Sequence, residues 1–289
     1  MDLLDQLNKA MAFIEEHIDD DIALAEVSKV TMYAPYHFGR LFYYIADMPL
    51  SEYIRRRKLS LAAMALQSGR MRVIDLAVQY GYESADSFTR AFVKQHGITP
   101  SAARQGGASL TIFPPLTFQI KIKGVQAMNW RIEEREAFEV FGIERIYRND
   151  EQGKVPQFWV DIEQNGEGAR LANAAGGFRD SGVLRLFAIC GYCEAGEDTF
   201  PYMICADKTS DCDTTGFKVA QIPKTTWAVF RSSPLDGFGI EIPTLFQRAY
   251  GEWMPSSGYD KAIGPDMELY IKGEDGKCYE EVWIPVKKA

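Results

Sequence analysis

Arg40 sits in the pentapeptide FGRLF at 38–42, and Arg90 in FTRAF at 88–92, about fifty residues on. Positions i, i+3 and i+4 of each copy, Phe38, Leu41 and Phe42 or Phe88, Ala91 and Phe92, form an apolar helical stripe, and the arginine projects away from it. A guanidinium pairs in bidentate fashion with guanine O6 and N7, so an arginine repeated at the equivalent place of a duplicated unit points to DNA. A lone arginine would point only to a hydrated helix face. The basic run Arg55, Arg56, Arg57 and Lys58 lies between the copies, with Arg72 and Lys94 nearby, for phosphate contact or hydration.

A second constellation closes the chain. In EEVWIPV at 280–286, strand alternation places Glu281, Trp283 and Pro285 on one face and Glu280, Val282, Ile284 and Val286 on the other. If Glu281 faces a dry cavity lined by Trp283, Tyr270 and Trp159, its carboxylate is poorly solvated until a cation arrives. Aromatic faces with one carboxylate suit a flat or quaternary cation. The alternative is a surface strand with hydrated glutamates. Only one of Glu280 and Glu281 is expected inside, and Glu281 is the choice.

The distribution of charge agrees with a division of labour. The net charge of -8 over 289 residues conceals eleven basic residues against five acidic ones at 28–107, whereas 108–289 hold 20 basic and 27 acidic residues. A basic segment suited to DNA is joined to an acidic one suited to a cationic or neutral partner. Cys190, Cys193, Cys205, Cys212 and Cys278 are odd in number and all in the second half, which argues against a disulfide framework. LRLFAICGYC at 184–193 reads as an apolar strand with small buried cysteines rather than a zinc site. His17, His37 and His96 all precede residue 100, so the second half has no histidine base, and no phosphate-binding, zinc-protease or nucleophile-elbow motif occurs. No catalytic residue, cofactor or metal is expected. The first turn carries Asp2 and Asp5 and the longest apolar run, 41–46, is too short for a bilayer, so a cytoplasmic protein without a membrane partner is expected.

The elements that must position these residues are legible in outline. Leu3, Leu4, Leu7, Met11, Ile14 and Ile18 mark a helix over 2–18, Leu24, Val27 and Val30 a short one, and Pro35 begins a third that runs to about Tyr44 after a turn at Thr31 and Met32. Ser51 is expected to cap a helix reaching Gln67. Then the pattern restarts, with a short helix at 73–78, a turn at Gly81, a cap at Ser84, and an end at Gly97 and Pro100. Residues 105–109, which include Gly106 and Gly107, read as a hinge. Beyond it, TFQIKIKG, WRIEERE, ELYIKG and EEVWIPV alternate as strands, and 156–165 and 242–250 are candidate helices.

The succession Val27-Ser28, Phe38 to Phe42, Tyr53-Ile54, Arg57-Lys58-Leu59, Leu76-Ala77, Gly81-Tyr82, Ser84, Phe88 to Phe92, Gly97 to Pro100 and Arg104 resembles the DNA-binding domain of AraC/XylS transcription regulators. The resemblance implies two helix-turn-helix units bridged by one long helix, reading successive major-groove segments, and RNA polymerase as a partner. Met32, Ala34 and Gly39 depart from the pattern in the first unit. Base readout then falls to Tyr36, His37 and Arg40 in the first unit and to Ala85, Asp86, Thr89 and Arg90 in the second, with Arg57 and Lys58 completing the DNA-binding set. His37 is equally well a neutral helix-face histidine.

The second half resembles the GyrI-like effector-binding domain in 122–144, FPYMICAD, IPKTTWAVF, GYDKAIGPDMELYIKG and EEVWIPV. That resemblance implies two similar α/β halves enclosing a pocket, lipophilic cations as ligands, and a glutamate on the last strand, here Glu281, at the pocket floor. The expected chain is multidomain: an all-α double helix-turn-helix domain at 1–106, a connector and possible first strand at 107–128, and an α+β GyrI-like domain with a mainly antiparallel sheet at 129–289. The expected function is sequence-specific binding of double-stranded promoter DNA by a transcription regulator, an activator, under a hydrophobic, cationic small-molecule effector. The alternative is a multidrug-binding or hydrolytic module that uses Glu281 and is recruited to DNA.

Overall fold

The computed structural model describes residues 3–288 apart from 32, 70, 106, 119–126, 178–185, 194–195, 197–198 and 274. Met32, Gly106 and most of the strand expected at 117–124 lie outside the described residues. The chain divides into two units, residues 1–38 with 48–119 and residues 39–47 with 120–289.

In the first unit the apolar periodicity becomes helices. α1 (Leu3–Glu16) buries Leu3, Leu7, Ala10, Met11 and Ile14, one stripe at helical spacing. α2 (Leu24–Thr31) and α3 (Pro35–Ala46) follow, and the unit boundary crosses α3 after Phe38. α4 (Leu50–Gln67) starts one residue earlier than expected. Pro49, extended at φ -62 and ψ 148, occupies the cap position, so Ser51 lies inside the helix and caps nothing. α5 (Val73–Gln79), α6 (Ala85–His96) and α7 (Pro100–Ala103) repeat the pattern.

Ser84 accepts the backbone N–H of Ser87 and Ser87 reciprocates, a capping box, at a typical worth of about 1 kcal/mol. Gly97 ends α6 in the left-handed region at φ 73, which a residue with a Cβ enters at a cost. Phe88 and Phe92 are fully buried with Leu59, Leu66, Leu76 and Ala77. Truncating either ring would cost about 3–5 kcal/mol.

Residues 108–118, expected as hinge and connector, are bound along α4 and α1. Ser60 Oγ accepts from Phe113 N at 3.0 Å, Tyr53 Oη from Leu116 N at 3.0 Å, and Asn8 makes a reciprocal pair with the backbone of Phe118 at 2.9 and 3.0 Å. Polar side chains at buried positions of α4 and at a half-buried position of α1 have found their partners in this strap.

The second unit is built on β1 (Asn129–Arg135), β2 (Phe138–Arg148), β3 (Phe187–Cys190), β4 (Thr199–Asp207), β5 (Lys218–Ile222), β6 (Thr225–Arg231), β7 (Tyr259–Lys261), β8 (Asp266–Lys272) and β9 (Cys278–Lys288). α8 (Val155–Gln164) and α9 (Glu167–Ala174) lie between β2 and β3, and α10 (Ile242–Arg248) and α11 (Met254–Ser257) between β6 and β7. The strand order is β1-β6-β9-β8-β3-β4-β2-β5, with β7 on β9, and all pairings are antiparallel.

That order contains a repeat. The succession β2-α8-β3-β4 is matched by β6-α10-β8-β9. Each half runs outward in the sheet, β3-β4-β2 on one side and β8-β9-β6 on the other, and the halves join where Ala188, Ile189 and Cys190 pair with Glu268, Met267 and Asp266. One face buries Val140, Ile189, Met203, Trp227, Met267 and Trp283. Alternation sends Asp266, Glu268 and Tyr270 to the opposite face. Gly142 in β2 has no space for a side chain, because a Cβ would overlap the Ile204 backbone in β4. Cys190 and Cys205 are buried in β3 and β4. Among the described residues no helix is long and apolar enough to cross a membrane, and no group of His, Cys, Asp and Glu is arranged to hold a metal ion.

Candidate functional site

The two arginines of the repeat have different surroundings. Arg90 and Asp86 are exposed on α6, with Ala85 and Thr89 half-buried beside them, and Thr89 Oγ1 donates to Ala85 O at 2.7 Å. This places Asp86 and Arg90, four residues apart, on one outward surface of a helix fixed by its cap and its two phenylalanines.

Arg40 is only 4% exposed and His37 only 6%. His37 Nε2 lies 2.5 Å from the hydroxyl of Tyr36, with the two rings 3.9 Å apart. The first-unit readout set of Tyr36, His37 and Arg40 is therefore not presented on an outward face as the second-unit set is. Arg57 is engaged within its own unit. It faces inward from α4, makes two bonds to Glu15 of α1 at 2.8 and 2.6 Å, and donates to Phe113 O at 2.6 Å. It ties helix, helix and strap together. Burial works to raise the Glu15 pKa, but the Arg57 and Tyr53 hydrogen bonds outweigh it and hold the carboxyl below its usual range. Lys58 donates to Asp20 O at 2.8 Å, and Arg56 and Arg72 pair with Glu52 and Asp75.

The four expected ligand residues are separated by the pleat. Glu281 is buried on the face of Trp283, where Arg131 grips it at 2.9 and 3.1 Å, Arg231 lies at 3.5 Å, and Trp283 Nε1 donates to it at 2.9 Å. Its charge is already compensated, and Tyr270 and Trp159 are on the other face of the sheet. Glu280 is buried as well, contrary to the expectation that one glutamate would stay outside. It accepts the backbone N–H groups of Gly239, Ile240 and Glu241 just ahead of α10, three donors that solvate it in place of water.

Beside Tyr270 on its own face lie Glu268, two residues earlier on β8, and Glu280, its register partner on β9, and Asp266 lies two residues before Glu268 on the same face. Glu268 accepts from Tyr202 Oη at 2.8 Å and Tyr270 Oη at 3.4 Å, and Trp159 Nε1 donates to Tyr202 at 3.1 Å. Trp159 meets Tyr270 edge to face at 5.0 Å. Asp266 accepts Lys261 Nζ at 2.7 Å, with Tyr250 Oη at 3.3 Å. Burial, and after it the Glu268 charge, pushes the Tyr202 and Tyr270 phenols well above their usual range, so both remain donors at neutral pH. Burial lowers the Lys261 pKa, and Asp266 opposes the loss of its charge. Period-two counting back from Tyr270 in DMELYIKG was the sequence signal for both carboxylates.

The remaining cation of this cluster is Arg40, which belongs to the same unit. Its Nη2 lies 2.9 Å from Glu268 Oε1 and its Nε 3.3 Å from Asp266 Oδ2, with Cζ 4.6 Å from the Phe246 ring and 5.2 Å from the Tyr44 ring. Burial opposes the charge on Arg40, and the surrounding groups, Glu268 and Asp266 among them, outweigh it and hold the guanidinium ionised. Two carboxylates face two cations, so the cluster is neutral with Arg40 in place and carries one excess negative charge without it.

A cleft of about 760 Å³ lies elsewhere in the unit, with Arg231, Ser232, Glu241, Thr244, Arg248 and Tyr279 among its lining residues. It shares no group with the carboxylate cluster.

A model described as a GyrI-like small molecule binding domain matches residues 128–287, and a helix-turn-helix domain model matches 27–106. The right origin-binding protein of Escherichia coli (strain K12) is 23% identical over 304 residues, spanning all of both chains. The transcriptional regulator Rob of Salmonella typhimurium is 33% identical over 118 residues, 40% of this chain and 41% of that one. The structure of SAV2435 bound to tetraphenylphosphonium is similar at a TM-score of 0.45 and 18% identity, covering 55% of this chain and 94% of that chain.

Proposed function

The chain belongs to the GyrI-like small-molecule-binding family and carries an AraC-type helix-turn-helix domain ahead of that region, which makes it a DNA-binding transcription regulator, and on that premise we propose that its effector is a hydrophobic cation and that binding it activates transcription. The observation that carries this reading is the pair Asp266 and Glu268, 1% and 5% exposed, set among the rings of Trp159, Tyr202, Phe246, Tyr250 and Tyr270. Carboxylates so enclosed need a positive charge, and aromatic faces favour one that is flat and weakly hydrated. DNA contact on this reading comes first from Arg90, Asp86, Thr89 and Ala85 of α6, with Arg90 on a base edge.

Calorimetric titration of the intact protein with benzylguanidine and with its uncharged counterpart benzylurea tests the effector class. Saturable binding of the cation and none of the urea is expected, together with a rise in transcription from a promoter that the protein selects out of genomic DNA. Equal binding of the two compounds would mean that the carboxylates do not select charge, and the reading would fall.

A further inference from the structure

We infer that Arg40 and Tyr44 of α3 are a built-in occupant of the effector site, and that an aromatic monocation of matching shape acts by displacing them and so freeing Arg40 for DNA. The inference rests on reading the Asp266 and Glu268 cluster as the effector site.

Three observations meet here. Arg40 supplies the one positive charge that makes the cluster neutral beyond Lys261, so the vacated site calls for a single cation. Tyr44, one helical turn after Arg40, stacks on Phe246 at 4.6 Å and 19°, and Phe246 also receives the guanidinium face. Arg40 and Tyr44 together present a planar cation and an aromatic ring whose centre lies 5.2 Å from Cζ, the outline of a benzylguanidine-like molecule. The third observation is the repeat itself: Arg40 occupies in FGRLF the place that Arg90 occupies in FTRAF, and Arg90 is exposed.

One guanidinium cannot lie against Glu268 and against a base edge at once. Residues 39–47 group with the effector-binding unit, while Pro35, Tyr36, His37 and Phe38 group with the first unit, so the division falls within α3. A ligand that fills the cluster removes the ionic reason for holding Arg40 there, and DNA that takes Arg40 opens the cluster. Linkage then requires the two to raise each other's affinity by one common factor, on the order of 5–150-fold.

The test titrates benzylguanidine into the full-length protein and its Arg40→Ala variant, and into the wild type with and without a DNA fragment selected from a genomic pool. Removal of the occupant is expected to tighten binding of the probe about tenfold or more, and the selected DNA to tighten it in the wild type by the same factor by which the probe tightens DNA binding. Equal probe affinity in wild type and Arg40→Ala overturns the inference while leaving the cation site standing. Failure of both proteins to bind the probe overturns the site and the inference together. Should Arg40→Ala not fold, the wild-type arm decides alone, and probe affinity indifferent to DNA overturns the inference.

Discussion

The helices α3 and α6 are written in one pattern and housed in two ways. Both bury a pair of phenylalanines, Phe38 and Phe42 or Phe88 and Phe92, and both carry an arginine midway between them. In α6 that arginine is exposed on a helix with a capping box. In α3 it is enclosed among carboxylates and aromatic rings from β8 and α10. A repeated motif thus specifies the helix and its buried stripe, whereas the other side of the helix takes its meaning from what packs there.

The largest test of this contrast is stability. Arg40→Met strands Asp266 and Glu268 with only Lys261 for compensation, and a loss of about 3–5 kcal/mol is expected in urea unfolding. Arg90→Met should stay within about 0.5 kcal/mol of the parent. Similar midpoint shifts for the two variants would erase the distinction.

DNA binding gives the converse and smaller effect. Arg90→Ala is expected to lower affinity for the selected DNA by about 1–3 kcal/mol, with the preference relaxed at one base pair of a substituted series. A loss spread evenly over all sequences would move Arg90 from base edge to phosphate.

The smallest effect concerns Arg57, the arginine that looked like a third DNA contact. Its partner Glu15 has a pKa held below the ordinary carboxylate value of 4.5, so the pair's contribution is complete above that pH and is lost as pH falls through the lowered value. Acid titration of wild type and Glu15→Gln should show the wild type losing its advantage only below about pH 4.5. An advantage lost already above that pH, or one that never declines in acid, would show that protonation of Glu15 is not what weakens the unit.

Much of the framework was legible. The helix stripe in 3–16, the cap at Ser84, the end at Gly97 and the alternation in 280–286 are local patterns with local physical causes, and the elements appear where those patterns occur. The strap at 108–118 was not legible. Its partners Ser60, Tyr53, Arg57 and Asn8 lie 53 to 110 residues away, and no periodicity announces a segment held by hydrogen bonds to distant side chains.

The candidate site divides in the same way. A carboxylate among aromatic rings does occur on one of the last two strands of the second unit, and Trp159 and Tyr270 stand together beside it. Glu281 and the Tyr270 group fall on opposite faces of the sheet, because alternation gives two faces without saying which faces what. Arg131 and Arg231, 150 and 50 residues away in sequence, pair with Glu281, and among the described residues Arg40 and Lys261 are the cations paired with Asp266 and Glu268 on β8. By itself the sequence determined a duplicated helix-turn-helix, a strand-rich second half, and a supply of arginines and carboxylates. Only the tertiary structure decided which charge meets which, because an ion pair is settled by distance in space and by the loss of water around it, and neither is written in the spacing of residues along the chain.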